Sequence, residues 1–168
     1  MKIIIKNLQK KIPIHPKRIK ETILKTLSLK GIKKSGEITV CFVSDKRIKE
    51  LNLRYLGKNF PTDVITFDYT KNPECSNFLS NSSGSRRVTP EKKLHSGEEI
   101  LADIVVSTDT AVSNARIFKT SPSDELYLYV IHGTLHLLGY NDQTPKQKQI
   151  MRSKEKGVLI WLSTRPRQ

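Results

Sequence analysis

Apolar residues recur along the chain in two rhythms, one with a period of two and one helical. Strands are predicted at 2–6, 37–43, 62–69 and 100–107. The run Glu37-Ile38-Thr39-Val40-Cys41-Phe42-Val43 is rich in the β-branched and aromatic residues that suit a pleated surface. Val64, Thr66 and Asp68 alternate with Ile65, Phe67 and Tyr69, which gives that strand two chemically different faces. Ile100 through Val106 is almost continuously apolar, as expected of a strand covered on both sides.

Helices are marked by their caps. His15-Pro16 opens one that runs toward Gly31, with proline at the first helical position and glycine past the end. Ser44-Asp45 opens a second and Ser107-Thr108-Asp109 a third. Ser121-Pro122-Ser123-Asp124 sets a hydroxyl, a proline and an acid in the order that a helix start favours. Thr144-Pro145-Lys146-Gln147 has the form of a capping box for a last helix ending near Trp161. The resulting order βαβαββααα predicts one α+β domain over residues 1–168: a mixed four-stranded sheet packed with about five helices. Residues 70–99, dominated by Asn, Ser, Gly, Lys and Glu without periodicity, read as a long mobile connection. His95 lies within it and reads as a stray surface histidine.

The helix predicted over 122–138 is apolar nearly all round, so it should be buried and central. It nevertheless carries His132 and His136, whose polar nitrogens need partners in a core. A spacing of four residues puts both rings on one face, a turn apart, where they can bind one cation. Spacing alone is equally compatible with two core histidines bonded to backbone carbonyls. The residues that follow favour the cation. Gly139 directly after the last helical leucine is suited to a left-handed helix end, and it turns Tyr140-Asn141-Asp142 back beside the helix. Asp142 can then act as a third ligand. Two histidines, one carboxylate and an open position form a catalytic zinc set. In zinc proteases the residue after the first histidine is a glutamate that acts as general base. Here it is Gly133, which disfavours proteolysis by that route and leaves room beside the metal.

Composition adds a partner. The net charge is +14 and sits at the ends: residues 1–34 carry +10, residues 146–168 carry +6, and the middle is left at −2. Basic ends would attract a polyanion such as RNA through its phosphates, although no aromatic residues interleave with the lysines, and solvated helix faces account for the same charge. No apolar run approaches the roughly 18 residues of a membrane helix. The apolar stretch in the opening residues 1–7 is too short for a signal peptide. Two cysteines, Cys41 and Cys75, make no disulfide framework. A cytoplasmic protein with no membrane partner is expected.

The segment His132-Gly133-Thr134-Leu135-His136-Leu137-Leu138-Gly139-Tyr140 resembles the signature H-G-x-L-H-L-x-G-Y-D-H of the YbeY family, metal-dependent endoribonucleases that act as ribosomal RNA maturation factors. Gly57-Lys58-Asn59-Phe60-Pro61-Thr62-Asp63-Val64-Ile65-Thr66-Phe67 is similar to that family's G-K-D-x-P-T-D-V-L-S-F, and Ala102-Asp103-Ile104-Val105-Val106-Ser107 to its G-D-I-x-I-S strand. The resemblance covers residues 35–162. It implies hydrolysis of single-stranded RNA, one Zn2+ per chain on His132, His136 and Asp142, and ribosomal RNA with the small ribosomal subunit as partners. Asp63, inside the matched Pro-Thr-Asp-Val stretch, is a candidate carboxylate behind a ligating histidine, or else the cap of the turn that opens the strand.

Three features depart from the family pattern. The last ligand position holds Asp142 instead of histidine and follows Asn141 instead of aspartate. Its shorter reach and negative charge would alter the geometry and lower the Lewis acidity. The residue before Gly57, an arginine in the family, is Leu56, and Arg54 points about 200° away on a helix and is a poor substitute. The 70–99 insertion is longer than the family's loop. Two alternatives remain open on these residues: a non-catalytic RNA-binding assembly factor with a structural metal, and a metallohydrolase of another substrate. A closed structural site would need a fourth ligand from Cys41, His95 or His15.

Overall fold

The computed structural model describes residues 1–31, 35–70 and 99–165. In chain order the elements are β1 (Lys2–Asn7), α1 (Pro16–Ser28), β2 (Ser35–Val43), α2 (Asp45–Leu56), β3 (Val64–Asp68), β4 (Glu99–Ser107), α3 (Thr108–Phe118), α4 (Pro122–Leu137) and α5 (Pro145–Ser163). Their order and kind match the reading of the sequence, with bounds displaced by a few residues. The connection expected at 70–99, and His95 with it, lies outside the described residues except at its two ends.

The sheet runs β1-β2-β4-β3. Strands β1, β2 and β4 are parallel, and β3 lies antiparallel on β4, with Val64 opposite Val106 and Asp68 opposite Ala102. The fold is therefore α+β with a mixed sheet. Interior β4 is covered on both faces, as its apolar run requires. Ile100, Ala102, Ile104 and Val106 join the larger core with Ile38, Val40 and Phe42 of β2 and with residues of α1, α4 and α5. Val105 joins Cys41, Val43, Ile65, Phe67 and Tyr69 beneath Ile48 and Leu51 of α2. The alternation in β3 has the expected consequence: Ile65 and Phe67 face α2, whereas Val64 packs toward α4.

Four of the five helix starts carry the predicted side-chain cap. Ser44, Ser107, Ser121 and Thr144 each accept a hydrogen bond from the backbone N–H three residues on, and Gln147 completes the capping box with the Thr144 backbone. His15 occupies the corresponding position of α1 without a side-chain bond, and Pro16 supplies the preset φ instead.

Helix α4 lies against the sheet at Gly133. A Cβ on this residue would fall 2.8 Å from Thr66 Oγ1, 2.9 Å from Ile104 Cγ2 and 3.2 Å from Val64 Cγ2. Gly133 is thus a packing requirement on the sheet side of the helix, and the room it leaves is already filled by β3 and β4. This corrects the expectation that its small size opens space for substrate.

Gly133→Ala should destabilise the protein by about 1–3 kcal/mol through overpacking, even though alanine is the better helix former by about 1 kcal/mol. Chemical denaturation would read this directly. A variant as stable as wild type would show that α4 can lift from the sheet without cost.

Candidate metal centre

From Glu125 to Leu138 every residue of α4 is buried except Leu128, His132 and His136. These three share one stripe at intervals of four residues, so the otherwise enclosed helix presents both histidines through its single open face. The helix then stops in a Schellman motif. Gly139 takes φ +83, its N–H donates to the His136 carbonyl at 2.9 Å, and the Tyr140 N–H donates to the Leu135 carbonyl at 3.1 Å. Lys30, just beyond the end of α1, donates to the Leu138 carbonyl and lies 4.8 Å from the centre of the Tyr140 ring, tying down the exit. The chain reverses as expected and returns Asp142 to the histidines.

The imidazole nitrogens converge. His132 Nε2 and His136 Nε2 are 3.0 Å apart, and Asp142 Oδ2 lies 3.8 Å from His132 Nε2. One ligand atom from each of the three residues falls within 4.8 Å of the others, and among the described residues this is the group of His, Cys, Asp and Glu side chains close enough to share an ion. A cation holding nitrogen and oxygen ligands at about 2.0–2.2 Å in a tetrahedral arrangement needs donor atoms roughly 3.3 Å apart. The observed 3.0 and 3.8 Å lie on either side of that separation, and with all three donor atoms within 4.8 Å of one another the set can close on such an ion by side-chain adjustment, chiefly of the more exposed Asp142.

Each ring is oriented from behind. His136 Nδ1 is 3.0 Å from the Tyr140 carbonyl oxygen, which can only accept, so the proton sits on Nδ1 and leaves the Nε2 lone pair pointing into the site. His132 Nδ1 is 2.6 Å from Glu155 Oε1 of α5. A carboxylate behind a ligating histidine fixes the tautomer and raises the basicity of the ligating nitrogen. Asp63 does not hold that position. Its Oδ1 accepts from the Val64 N–H at 2.8 Å and from Thr62 Oγ1 at 3.0 Å, capping the start of β3, while the residue lines the cleft facing His132.

Glu155 is the functional residue that reading along the chain overlooks. On α5 it falls in the stripe Met151, Glu155, Val158, Leu162, whose other members are buried core residues. A lone acid at a core position, in a segment otherwise carrying seven cations, is the signal that could have found it.

The same contacts set the charges. Burial works to lower the pKa of His132, but the hydrogen bond and charge of Glu155, with the charges of Asp63 and Asp142, outweigh it and hold the imidazole above its ordinary value. Burial and the neighbouring His132 push His136 below its ordinary value. The two rings, 3.0 Å apart at their Nε2 atoms, are thus shifted in opposite directions, His132 toward holding a positive charge and His136 away from it.

Of the fourth ligands that a closed site could draw on, His95 lies outside the described residues, and Cys41 and His15 stand away from the group. Cys41 belongs to the core beneath α2, on the opposite face of the sheet, where burial and then the charge of Asp103 push its thiol up to about 12. His15 caps α1, away from the described ligand group. Leu56 lines a cleft of about 460 Å³ on the His136 side, bounded by Tyr55, Val64, Phe67 and Asn141. Arg54 lies 5.5 Å over the ring of Tyr55 and is not among the residues lining that cleft. No helix among the described residues is long and apolar enough to cross a membrane.

Comparison with known proteins agrees with this geometry. The family model described as Endoribonuclease YbeY matches residues 4–162. An endoribonuclease YbeY of Syntrophus aciditrophicus is 36% identical over 168 residues, covering 99% of this chain and 92% of its own length. One from Desulforamulus reducens is 33% identical and covers 95% of each chain. The solution structure of TM1509 from Thermotoga maritima superposes with a TM-score of 0.54 at 26% identity, covering 95% of this chain and 88% of that one.

Glu155→Gln keeps the shape of the anchor and removes its charge. Metal affinity, measured by competition with a chromophoric chelator, should fall about 10- to 100-fold. In the metal-free variant the His132 titration followed by NMR should move down, because the largest influence raising it has gone. Unchanged affinity together with an unchanged titration would mean that Glu155 does not orient the ring.

Proposed function

The chain belongs to the YbeY endoribonuclease family, and we propose that it is a zinc-dependent enzyme cutting single-stranded RNA in the cytoplasm during maturation of small-subunit ribosomal RNA. The observation that carries this reading is the convergence of His132 Nε2, His136 Nε2 and an Asp142 oxygen at the edge of a cleft, with both rings anchored from behind. The family is one of endoribonucleases, so the reaction is hydrolysis of an RNA phosphodiester.

A zinc ion in this set would supply Lewis acidity toward a phosphoryl oxygen and acidify water. The chain's own groups do the rest. Glu155 and the Tyr140 carbonyl hold the two imidazoles with their Nε2 lone pairs directed inward, so little reorganisation is needed when the site fills. Asp142 contributes an oxygen and a negative charge from an exposed loop, and its side chain is 45% accessible. That makes it the adaptable member of the three. Among the described residues three protein ligands are gathered and Cys41 is on the other face of the sheet, which leaves a coordination position for water and substrate. This favours a catalytic over a purely structural ion.

The cleft favours a flexible strand. It encloses about 250 Å³ between α4, α5 and the start of β3, and the side chain of His132 within it is only 23% accessible. A phosphate reaches the rings only on a backbone that can bend inward, which an unstacked single strand does and a regular duplex does not.

His136→Ala should lose bound zinc, read by mass spectrometry of the native protein, together with cleavage of a single-stranded RNA assayed without added metal. Retention of zinc would show that His136 is not a ligand. Cleavage by the alanine variant at the wild-type rate would end the metallonuclease reading.

A further inference from the structure

Two clefts flank the histidine pair, and their walls differ in charge. The His136-side cleft is lined by Tyr55, Leu56, Phe67, Leu137 and other residues that include no lysine or arginine. The His132-side cleft has Lys148 and Arg152 on its wall. Both come from α5, within the basic segment 146–168.

Their placement follows from helical periodicity. Lys148, Met151, Arg152 and Glu155 stand at i, i+3, i+4 and i+7, so they share the face of α5 that closes the cleft. Glu155 is fixed on that face by its 2.6 Å contact with His132 Nδ1, which sets the register of the other two. Arg152 lies about 4.5 Å and Lys148 about 10.5 Å farther along the helix axis, one and two turns before Glu155. Both are exposed, and neither side chain has an ion-pair or hydrogen-bond partner among the described residues. Of the three acids in the same cleft, Asp63 and Glu155 are instead bonded to Val64 and His132, and Asp142 is turned to His132 at 3.8 Å.

We propose that Lys148 and Arg152 are the positioning residues for the RNA backbone, holding phosphates on the His132 side so that the strand enters the site along α5. This rests on the nuclease reading above. Arginine offers a planar fork to two phosphate oxygens, and lysine a point charge to the next phosphate along. The His136-side cleft, which has no cation, cannot hold the backbone in the same way. The basic C-terminal segment thus acquires a specific task, and the loss of the family's arginine at Leu56 leaves the chain with a cationic wall on the other side of the histidines.

The test compares the double variant Lys148→Gln/Arg152→Gln with wild type and with Lys46→Gln/Lys49→Gln, which removes two exposed charges from α2. Binding of an uncleaved 2′-O-methyl oligonucleotide is followed by fluorescence anisotropy at several salt concentrations, and cleavage of the matching RNA is measured alongside. Each lost phosphate contact should flatten the plot of log affinity against log salt by about 0.7, so the α5 variant should lose about 1.4 of slope and bind about 10- to 30-fold more weakly near 0.1 M salt. The KM for cleavage should rise correspondingly, with zinc content unchanged, and Lys148→Arg/Arg152→Lys should restore most of the slope. The α2 variant should keep the wild-type slope. An α5 variant with wild-type slope and KM would overturn the proposal, as would an equal loss in the α2 variant, since the charge would then act at no particular place. A wild-type protein that binds with the predicted slope dependence but cuts no RNA would refute the nuclease reading and leave the phosphate wall standing. A wild-type protein that does not bind the oligonucleotide refutes the phosphate wall, and the nuclease reading then stands or falls on the cleavage measured alongside.

Discussion

The close approach of α4 to the sheet at Gly133 governs the site. A helix that touches β3 and β4 through its own backbone cannot rotate or slide without driving a side chain into Thr66 or Ile104. With that face fixed and the flanks buried against α1, α3 and α5, one stripe of the helix is left open, and His132 and His136 occupy it. Burial of the helix thus does more than stabilise the domain. It fixes the direction of the two rings to within the freedom of their χ angles, and Glu155 and the Tyr140 carbonyl remove most of that freedom.

The chemistry of the centre depends on the same arrangement. A half-buried imidazole ordinarily loses affinity for a positive charge. Here three carboxylates, Glu155, Asp63 and Asp142, surround His132 and reverse the sign of that effect. Such surroundings favour a cation at His132, whether a proton or a metal ion. A metal entering the site competes with protons for the same nitrogens.

Much of the fold is legible in the sequence because its signals are local. Serine, threonine and proline at the helix starts act within one turn, and the period of two in β3 names the face toward each helix without tertiary information. The His-His-Asp group is legible for a similar reason, since Gly139 lies between its parts and the whole spans eleven residues. What is missed is non-local. Glu155 is 23 residues from His132 and reaches it only once α5 has docked on α4. The same docking turns Lys148 and Arg152 from members of a basic tail into a cleft wall. Gly133 is misread because its role is steric contact with two strands far away in sequence. Charge composition also overstates the free cations: Lys25 lies 5.3 Å and Arg165 4.0 Å from the centre of the Trp161 ring, so some of the basic ends pack on an aromatic residue. Interleaving absent along the chain is thus produced by the fold.

The central claim is that α4 and the turn after it deliver two imidazoles and one carboxylate to a single open cation site. X-ray absorption at the zinc edge of the metal-loaded protein tests this most directly, because it reports the kind and number of coordinating atoms. Two imidazole nitrogens are expected, with the remaining shell made of oxygen at about 2.0–2.2 Å and no sulfur. A sulfur shell near about 2.3 Å, or a third imidazole in place of the carboxylate, would contradict the claim.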